Sequence, residues 1–330
     1  MARSAPTGPG LRPRLRLFAL AALLASGAVN AAWPDKPIRW VVPYPPGAMG
    51  DIVGRLAAEG VRTRLGQPVV VDNRPGAGGN IGAGQVAQGA PDGSVFLVAA
   101  TNNLVINQYL YRDMSFDPLK AFAPVTVMVD VPAVLYTNAS VPAASFAAFA
   151  AYAGTQKGKL NYGSPGSGTT IHLFTEGLNR AHRLGMTHVS YKGAAPAMAA
   201  LLANDIQLFA IGAGVGAPHV KAGKLRALAV ASPARLPLMP DTPTFAEAGL
   251  GNALSANWWG LVAPAGTPRE IVDRMHATLA TVFAEPSVKT RLDELGNRAV
   301  LNGPEAMRAQ LTEEAKYWAR TVKELGATVD

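Results

Sequence analysis

The sequence contains no cysteine. That absence excludes a disulfide framework, a thiol nucleophile and a lipid-modified cysteine following a leader. Only one apolar run, Leu17 to Val29, approaches membrane length; it is too short to span comfortably, and no second stretch of spanning length follows. Nowhere do Lys and Arg cluster densely with interleaved aromatics, which argues against a nucleic-acid partner. There is no Gly-x-Ser-x-Gly nucleophile elbow, since neither Ser164 nor Ser167 has glycine at both required positions. Gly154-Thr155-Gln156-Lys157-Gly158-Lys159 is one residue short of a phosphate-binding loop and lacks the following Ser or Thr. The five histidines, His172, His182, His188, His219 and His276, show no metal-ligand spacing, and His172 alone falls near the binding turns described below. Gly82-x-Gly84-x-x-Ala87 imitates a dinucleotide fingerprint, but the strand before it ends too early and no acid closes the next strand.

What is present begins with a leader. Arg3, Arg12, Arg14 and Arg16 precede the apolar run, which ends in small residues at Val29-Asn30-Ala31. This is the pattern of a cleavable secretory signal peptide over residues 1–31, so the mature protein is expected to be periplasmic and not lipid-anchored. The formal charge of +8 falls to +4 without the leader, 26 basic residues against 22 acidic. A mild positive balance suits a small anionic ligand or simply a solvated basic surface. At 330 residues the chain has room for two domains.

The mature chain is organised around Tyr44-Pro45-Pro46-Gly47-Ala48-Met49-Gly50-Asp51. An apolar strand, Ile38 to Val42, leads in, and an amphipathic helix, Ile52 to Leu65, leads out with Asp51 placed as its N-cap. A strand-to-helix turn of this kind gathers backbone N–H groups and the positive end of a helix dipole at one point, where an anion can sit. Strands at Val69 to Val71 and Val95 to Ala100, with a short helix around Ile81 to Gln88, complete a βαβαβ unit. Val125 to Tyr136 is a long apolar run broken by Asp130 and Pro132, read as the passage from one lobe to another. Trp258 to Pro264 is read as the return. Thr267-Pro268-Arg269-Glu270 presents a capping box with Pro at the first helical position. The terminal helix opens at Gly303-Pro304, and its stripe of Leu311, Ala315, Trp318, Val322 and Leu325 is expected to pack on the first lobe.

A second turn repeats the first. Pro46, Gly47, Ile52, Arg64, Leu65, Gly66 and Val70 recur 119 residues later as Pro165, Gly166, Ile171, Arg183, Leu184, Gly185 and Val189. The identities fall at the turn, the helix start, the helix stop and the next strand. The inference is two similar α/β lobes, each with a glycine-rich helix N-terminus.

Pro43-Tyr44-Pro45-Pro46-Gly47 with Asp51, Asn73-Arg74-Pro75-Gly76-Ala77-Gly78-Gly79, Pro91-Asp92-Gly93, Tyr162-Gly163-Ser164 with Gly166 and His172-Leu173, Tyr191-Lys192-Gly193, Lys224 to Val230, and Trp259-Gly260-Leu261 with Ala263 to Pro268 occur in order along the chain. In this the mature chain resembles the Bug (TctC-type) extracytoplasmic solute receptors, the substrate-binding proteins of tripartite tricarboxylate transporters. The resemblance implies a type II periplasmic-binding-protein fold: two similar α/β lobes joined by a two-strand hinge, with the ligand cleft between them. Lobe 1 would comprise residues 32–130 and 254–330, and lobe 2 residues 131–253. By position, Tyr44, Gly47, Ala48, Met49 and Asp51 line the first turn, and Ser164, Gly166, Ser167, Gly168, Thr169 and His172 the second. Asn102 with Tyr191, Lys192, Gly193 and Ala194 complete the cleft. The ligand would be a small carboxylate, held by backbone amides and often through water, with no cofactor and no chemistry. Partners would be the two membrane subunits of the transporter, and the receptor itself a monomer.

Two departures bear on the first turn. Ala48 stands where the family usually has a second glycine, and Gly50 where a hydroxyl residue is common; neutral Gln207 and Ala210 replace frequent acids. Alternatives to uptake are a ligand sensor feeding a membrane kinase, and an exported hydrolase using Ser164 or His172. The Asp51 carboxylate is expected to turn away from the ligand, because facing a bound anion would repel it.

Overall fold

The computed structural model describes residues 33–156, 158–251 and 257–329, together with Met1. Apart from Met1, the leader predicted for residues 1–31 lies outside the described residues, as does the lobe boundary drawn between residues 253 and 254. Two sheets carry the fold. In chain order the first lobe contributes β1 (Ile38–Val42), α1 (Met49–Leu65), β2 (Val69–Asn73), α2 (Asn80–Ala87), β3 (Val95–Ala100), a π-helical turn (Asn102–Ile106) running into α3 (Asn107–Leu110), and β4 (Phe122–Asp130). The second lobe follows with β5 (Ala133–Asn138), α4 (Phe146–Gln156), β6 (Asn161–Ser164), α5 (Thr170–Ala181), β7 (Thr187–Ser190), α6 (Ala194–Ala203), β8 (Leu208–Gly212), α7 (Ala213–Lys221) and β9 (Leu225–Val230). The chain then returns to the first sheet with β10 (Trp258–Pro264), α8 (Arg269–Phe283), α9 (Pro286–Glu294), β11 (Arg298–Ala299) and α10 (Gly303–Leu325).

The sheet orders are β11-β4-β10-β3-β1-β2 and β7-β6-β8-β5-β9. Leaving out the two-residue β11, they are the same arrangement. β1 pairs in parallel with β2 and β3, as β6 does with β7 and β8. In each sheet one antiparallel strand follows, β10 in the first and β5 in the second. Both antiparallel strands begin just after the chain has crossed between sheets, at Val131-Pro132 and before Trp258. The Val131 N–H donates to the Asn257 carbonyl at 2.8 Å, so the two crossings are hydrogen-bonded to each other. The repeat seen in sequence is therefore the βαβ unit β1–α1–β2 copied as β6–α5–β7.

Apolar periodicity explains the layers. β1 and β3 are buried at nearly every position because helices cover both faces of the sheet. Val53, Ala57 and Val61 form the buried face of α1, which ends at Gly66 with φ 69°, a left-handed conformation glycine adopts without strain. Gly82 and Gly84, the imitation dinucleotide motif, sit inside α2, and Gly82 lets that helix close on Pro43 and the Arg74 carbonyl. The stripe on α10 packs as expected: Leu311, Ala315, Trp318 and Val322 join the core built on β3, β4 and β10. Leu173 of α5 joins the same core, so the terminal helix also touches the second lobe.

One capping expectation fails. α8 begins at Arg269 with Pro268 as N-cap at φ −52° and ψ 138°, and Thr267 Oγ1 turns back to the Pro264 carbonyl at 2.8 Å. The proline holds an extended conformation outside the helix, which leaves Thr267 one residue too early to cap it.

Trp258 ties α10 to the sheet. Its Nε1 donates to Glu314 Oε2 at 2.8 Å, while Gln310 Nε2 donates to the other oxygen. Burial raises the Glu314 carboxyl above its ordinary value, the Gln310 and Trp258 bonds oppose this, and nearby Asp130 adds to it. Trp258→Phe is expected to cost about 1–3 kcal/mol in urea unfolding, by leaving a buried carboxylate short of a donor. Because the group ionises only above its raised value, the deficit should grow as pH rises through it.

Candidate functional site

The two turns stand at the C-terminal ends of β1 and β6, each feeding a helix. At the first, α1 starts at Met49, with Ala48 as N-cap in extended conformation (φ −68°, ψ 159°) and no side chain capping it. Asp51 is therefore not the N-cap but the third residue of the helix. Its Oδ2 accepts the Gly47 N–H at 2.9 Å, and its Oδ1 accepts Arg55 Nε at 2.9 Å and Asn73 Nδ2 at 3.0 Å. Burial alone would raise this carboxyl; the Arg55 and Gly47 bonds, with Asn73 and the Arg55 charge, hold it below its ordinary value. The Ala48 N–H is also taken, by the Pro45 carbonyl at 3.2 Å. The donors of this turn without an acceptor among the described residues are those of Met49 and Gly50.

The second turn is arranged likewise. Thr169 caps α5, its Oγ1 accepting the His172 N–H at 3.3 Å and donating to the Gly166 carbonyl at 2.7 Å. The Gly166 N–H meets Ser164 Oγ at 3.3 Å, and the Gly168 N–H meets His172 Nδ1 at 3.1 Å. Gly168 holds φ 74°, and a Cβ there would lie 2.6 Å from Val329 and 3.4 Å from Leu110, so the chain's C-terminal tail and α3 of the first lobe close over it. The donors of this turn unclaimed among the described residues are Ser167, Thr170 and Ile171. Each helix start thus spends part of its amide set on shaping the turn and leaves part open.

The remaining predicted residues divide. Tyr44 and Asn102 face each other: Tyr44 Oη donates to Asn102 Oδ1 at 2.7 Å, and Asn102, Asn103 and Asn107 all donate to the Gly78 carbonyl. Their polar groups brace the glycine-rich loop beside the first turn. Gly193 donates to the Pro165 carbonyl at 3.0 Å, which ties Tyr191 to Ala194 to the second turn. Lys192 is exposed and has no carboxylate partner among the described residues.

Three contributors carry no local signal in the sequence. Trp259 packs edge-on to Tyr44 at 5.2 Å between ring centroids, and a Cβ on Gly50 would lie 2.2 Å from its ring; its buried Nε1 has no partner among the described residues. Here the indole fills the space a side chain at position 50 would need. Asn297 reaches Met49 Sδ with its Nδ2 at 3.2 Å. His188 is the largest omission. It pairs with Tyr162 across the parallel β6–β7 register, bonds Ser164 Oγ through Nε2 at 2.7 Å, and stacks on His172 at 3.9 Å. His172 is thus not the only histidine at the site.

Ser164 and His188 make a serine–histidine contact that sequence spacing hides. It does not form a catalytic triad: Ser164 is fully buried, and the nearest acid, Glu176, is committed to Tyr162, Asn179 and Arg180. No group of three or more metal-ligating acids or histidines occurs among the described residues. No helix among them is long and apolar enough to cross a membrane.

Residues 53–327 match the model of the tripartite tricarboxylate transporter family receptor, TctC. The chain is 30% identical to the protein BugT of Bordetella pertussis over 94% of its own length and 96% of the relative's. Two solved structures resemble it throughout. One is a protein of R. palustris with adipate, 34% identical, TM-score 0.79, covering 90% of this chain and 99% of that one. The other is MatC from Rhodopseudomonas palustris with bound malate, 31% identical, TM-score 0.74, covering 88% and 100%.

Asp51→Asn removes the charge that gathers Gly47, Arg55 and Asn73. It is expected to cost about 1–3 kcal/mol in denaturant unfolding at neutral pH, the range for charge-assisted bonds lost at a buried group. The wild-type advantage should vanish as pH falls through the lowered Asp51 value, where the carboxyl protonates in both states.

Proposed function

This chain belongs to the tripartite tricarboxylate transporter receptor family, TctC, and is a periplasmic solute receptor of that family; from that premise we propose that it captures a small carboxylate between its lobes and hands it to the membrane subunits of a tripartite transporter. On this reading residues 1–31 are a cleaved leader, residues 32–130 with 254–330 and residues 131–253 are the two lobes, and the receptor acts as a monomer without chemistry of its own.

The observation that carries the reading is the set of unclaimed amides at the two helix starts. Met49 and Gly50 offer donors on one side, and Ser167, Thr170 and Ile171 on the other. Donors at a helix N-terminus combine directed N–H groups with the positive end of the dipole, a combination suited to an anion rather than a neutral solute. The Asp51 carboxylate is engaged by Arg55 and Asn73, which offsets the one negative charge built into the first turn. Exposed Lys192, which has no carboxylate partner among the described residues, adds a cation next to the second turn. Relatives solved with adipate and with malate support a dicarboxylate as the first candidate. Closure over such a ligand removes water from the donors and strengthens each bond.

Two measurements test this. In ligand-free refolded protein, a panel of small carboxylates including malate and adipate should contain at least one member that stabilises by about 2.7 kcal/mol at a hundredfold excess over its Kd. No stabilisation by any member would count against the reading. The donors can be removed singly, because Met49 and Thr170 are the first residues of their helices and follow extended caps, Ala48 at ψ 159° and Thr169 at ψ 155°. Proline is tolerated at that position and removes the N–H along with the native side chain. Against Met49→Ala and Thr170→Ala, which remove the same side chains but keep the N–H, Met49→Pro and Thr170→Pro should each weaken carboxylate binding roughly tenfold or more. Unchanged affinity in both would remove these amides from the site.

A further inference from the structure

Beneath the second turn, three rings lie in a stack. His172 and His188 are 3.9 Å apart between centroids at 22°, and Tyr162 lies against them at 6.5 Å and 5.0 Å. With Glu176, Arg180 and the chain from Leu325 to Thr328 they line a cavity of about 460 Å³. Each imidazole is wired to one glycine of the turn. His172 Nδ1 is the acceptor for the Gly168 N–H, and His188 Nε2 bonds the Ser164 hydroxyl that accepts the Gly166 N–H.

We propose that His188 is a positioning residue of the second turn: seated on Ser164 and stacked on His172, it holds Gly166 and Gly168 in the shape that presents the open amides, and because only an uncharged His172 can accept the Gly168 N–H, carboxylate capture weakens on acidification. The inference rests on the carboxylate-receptor reading above.

The hydrogen-bond inventory makes the two rings unequal. A neutral His172 can accept at Nδ1 only with its proton on Nε2, and a charged one has no acceptor at all. Protonation therefore sets an N–H of the ring against the N–H of Gly168 and breaks the contact. His188 keeps a bond to Ser164 Oγ in either state, since the hydroxyl can accept from Nε2 and donate to the Gly166 carbonyl at 3.0 Å. Its part is to seat Ser164 and to stack on His172, where a second positive charge at 3.9 Å would be repelled.

The surroundings favour the uncharged pair. Burial lowers His172, opposed by the charge of Glu176. Burial and then the His172 charge lower His188 to about 4, again opposed by Glu176. The other groups facing the rings are Tyr162 from β6, held to Glu176, and Arg180 from α5, held to Glu176 and to the Glu324 carbonyl at the end of α10. The segment Leu325 to Thr328 brings no titratable side chain. With the folded values below the ordinary histidine value of about 6.5, the turn is fully held above that pH and is lost as pH falls through the lowered folded value of His172, ahead of that of His188.

The test separates this from a merely structural histidine. In nitrogen-15 spectra of the ligand-free protein between about pH 7.5 and pH 4.5, the Gly168 amide should move with the His172 ring, and in His172→Asn it should no longer titrate. At the upper pH, His188→Phe keeps the stack and loses the Ser164 bond; it should weaken binding of malate or adipate roughly fivefold. His188→Gln places a donor at the same reach and should restore binding to within about twofold of wild type. A Gly168 amide that is flat across the range, or a His188→Phe variant that binds as wild type does, overturns the proposal. If the wild type binds neither probe, the receptor reading loses its support, while the Gly168 titration still decides whether the imidazole pair holds the turn.

Discussion

An α-helix cannot satisfy its own first N–H groups, and this structure is built around that deficit at two places. At each turn the N–H groups that lead into and open the helix fall into two shares. One share is consumed locally, by Asp51 and the Pro45 carbonyl in the first turn and by Ser164, Thr169 and His172 in the second. The other share is left facing outward. The consumed bonds fix the geometry of the free ones, so the turns are rigid where their open amides are presented. Supporting residues follow from this: Arg55 and Asn73 hold Asp51, and Trp259 closes over Gly50.

Much of this was legible in the sequence. Strand and helix periods located nearly every element, and the 119-residue repeat marked the duplicated βαβ unit. The break at Asp130 and Pro132 marked the crossing, because a proline cannot continue a central strand, and β4 and β5 do lie in different sheets. The failures concern which partner a polar group chooses. Asp51 looks like a cap because it precedes an apolar helix face, yet α1 begins two residues before it, and Asp51 serves the turn from inside the helix. Thr267 looks like a cap for the same reason and is displaced by the extended Pro268. His188 stayed hidden because its neighbours are set by strand register. Nothing in the spacing of residues 162, 172 and 188 encodes that Tyr162 and His188 are paired across two strands, with His172 folded back over them.

The two lobes are less independent than the duplicated topology suggests. Arg180 leaves α5, which begins at the second glycine-rich turn, and donates to carbonyls of Glu324 and Leu325 at the end of α10. A guanidinium at a helix C-terminus satisfies orphan carbonyls and complements the dipole. Leu173, one turn into α5, is buried in the first lobe's core, and Val329 bonds the Leu110 carbonyl while covering Gly168. The second turn is therefore braced from both lobes, and any rotation that opens the cleft must act on these contacts as well as on the Val131–Asn257 pair.

The strand order also sets a sequence of events at folding. β10 lies between β3 and β4 and pairs with both, but it is made only after every strand of the second sheet. The second sheet is built from one uninterrupted stretch, β5 through β9, and can close on itself as soon as β9 emerges. The first sheet remains in two halves until then, with the buried faces of β3 and β4 lacking their shared neighbour. Its completion joins residues more than a hundred positions apart, the kind of pairing that slows folding and prolongs exposure of apolar strand edges. The lobe synthesised first is thus the one that finishes last, and the strand that returns through the hinge is the piece that completes it.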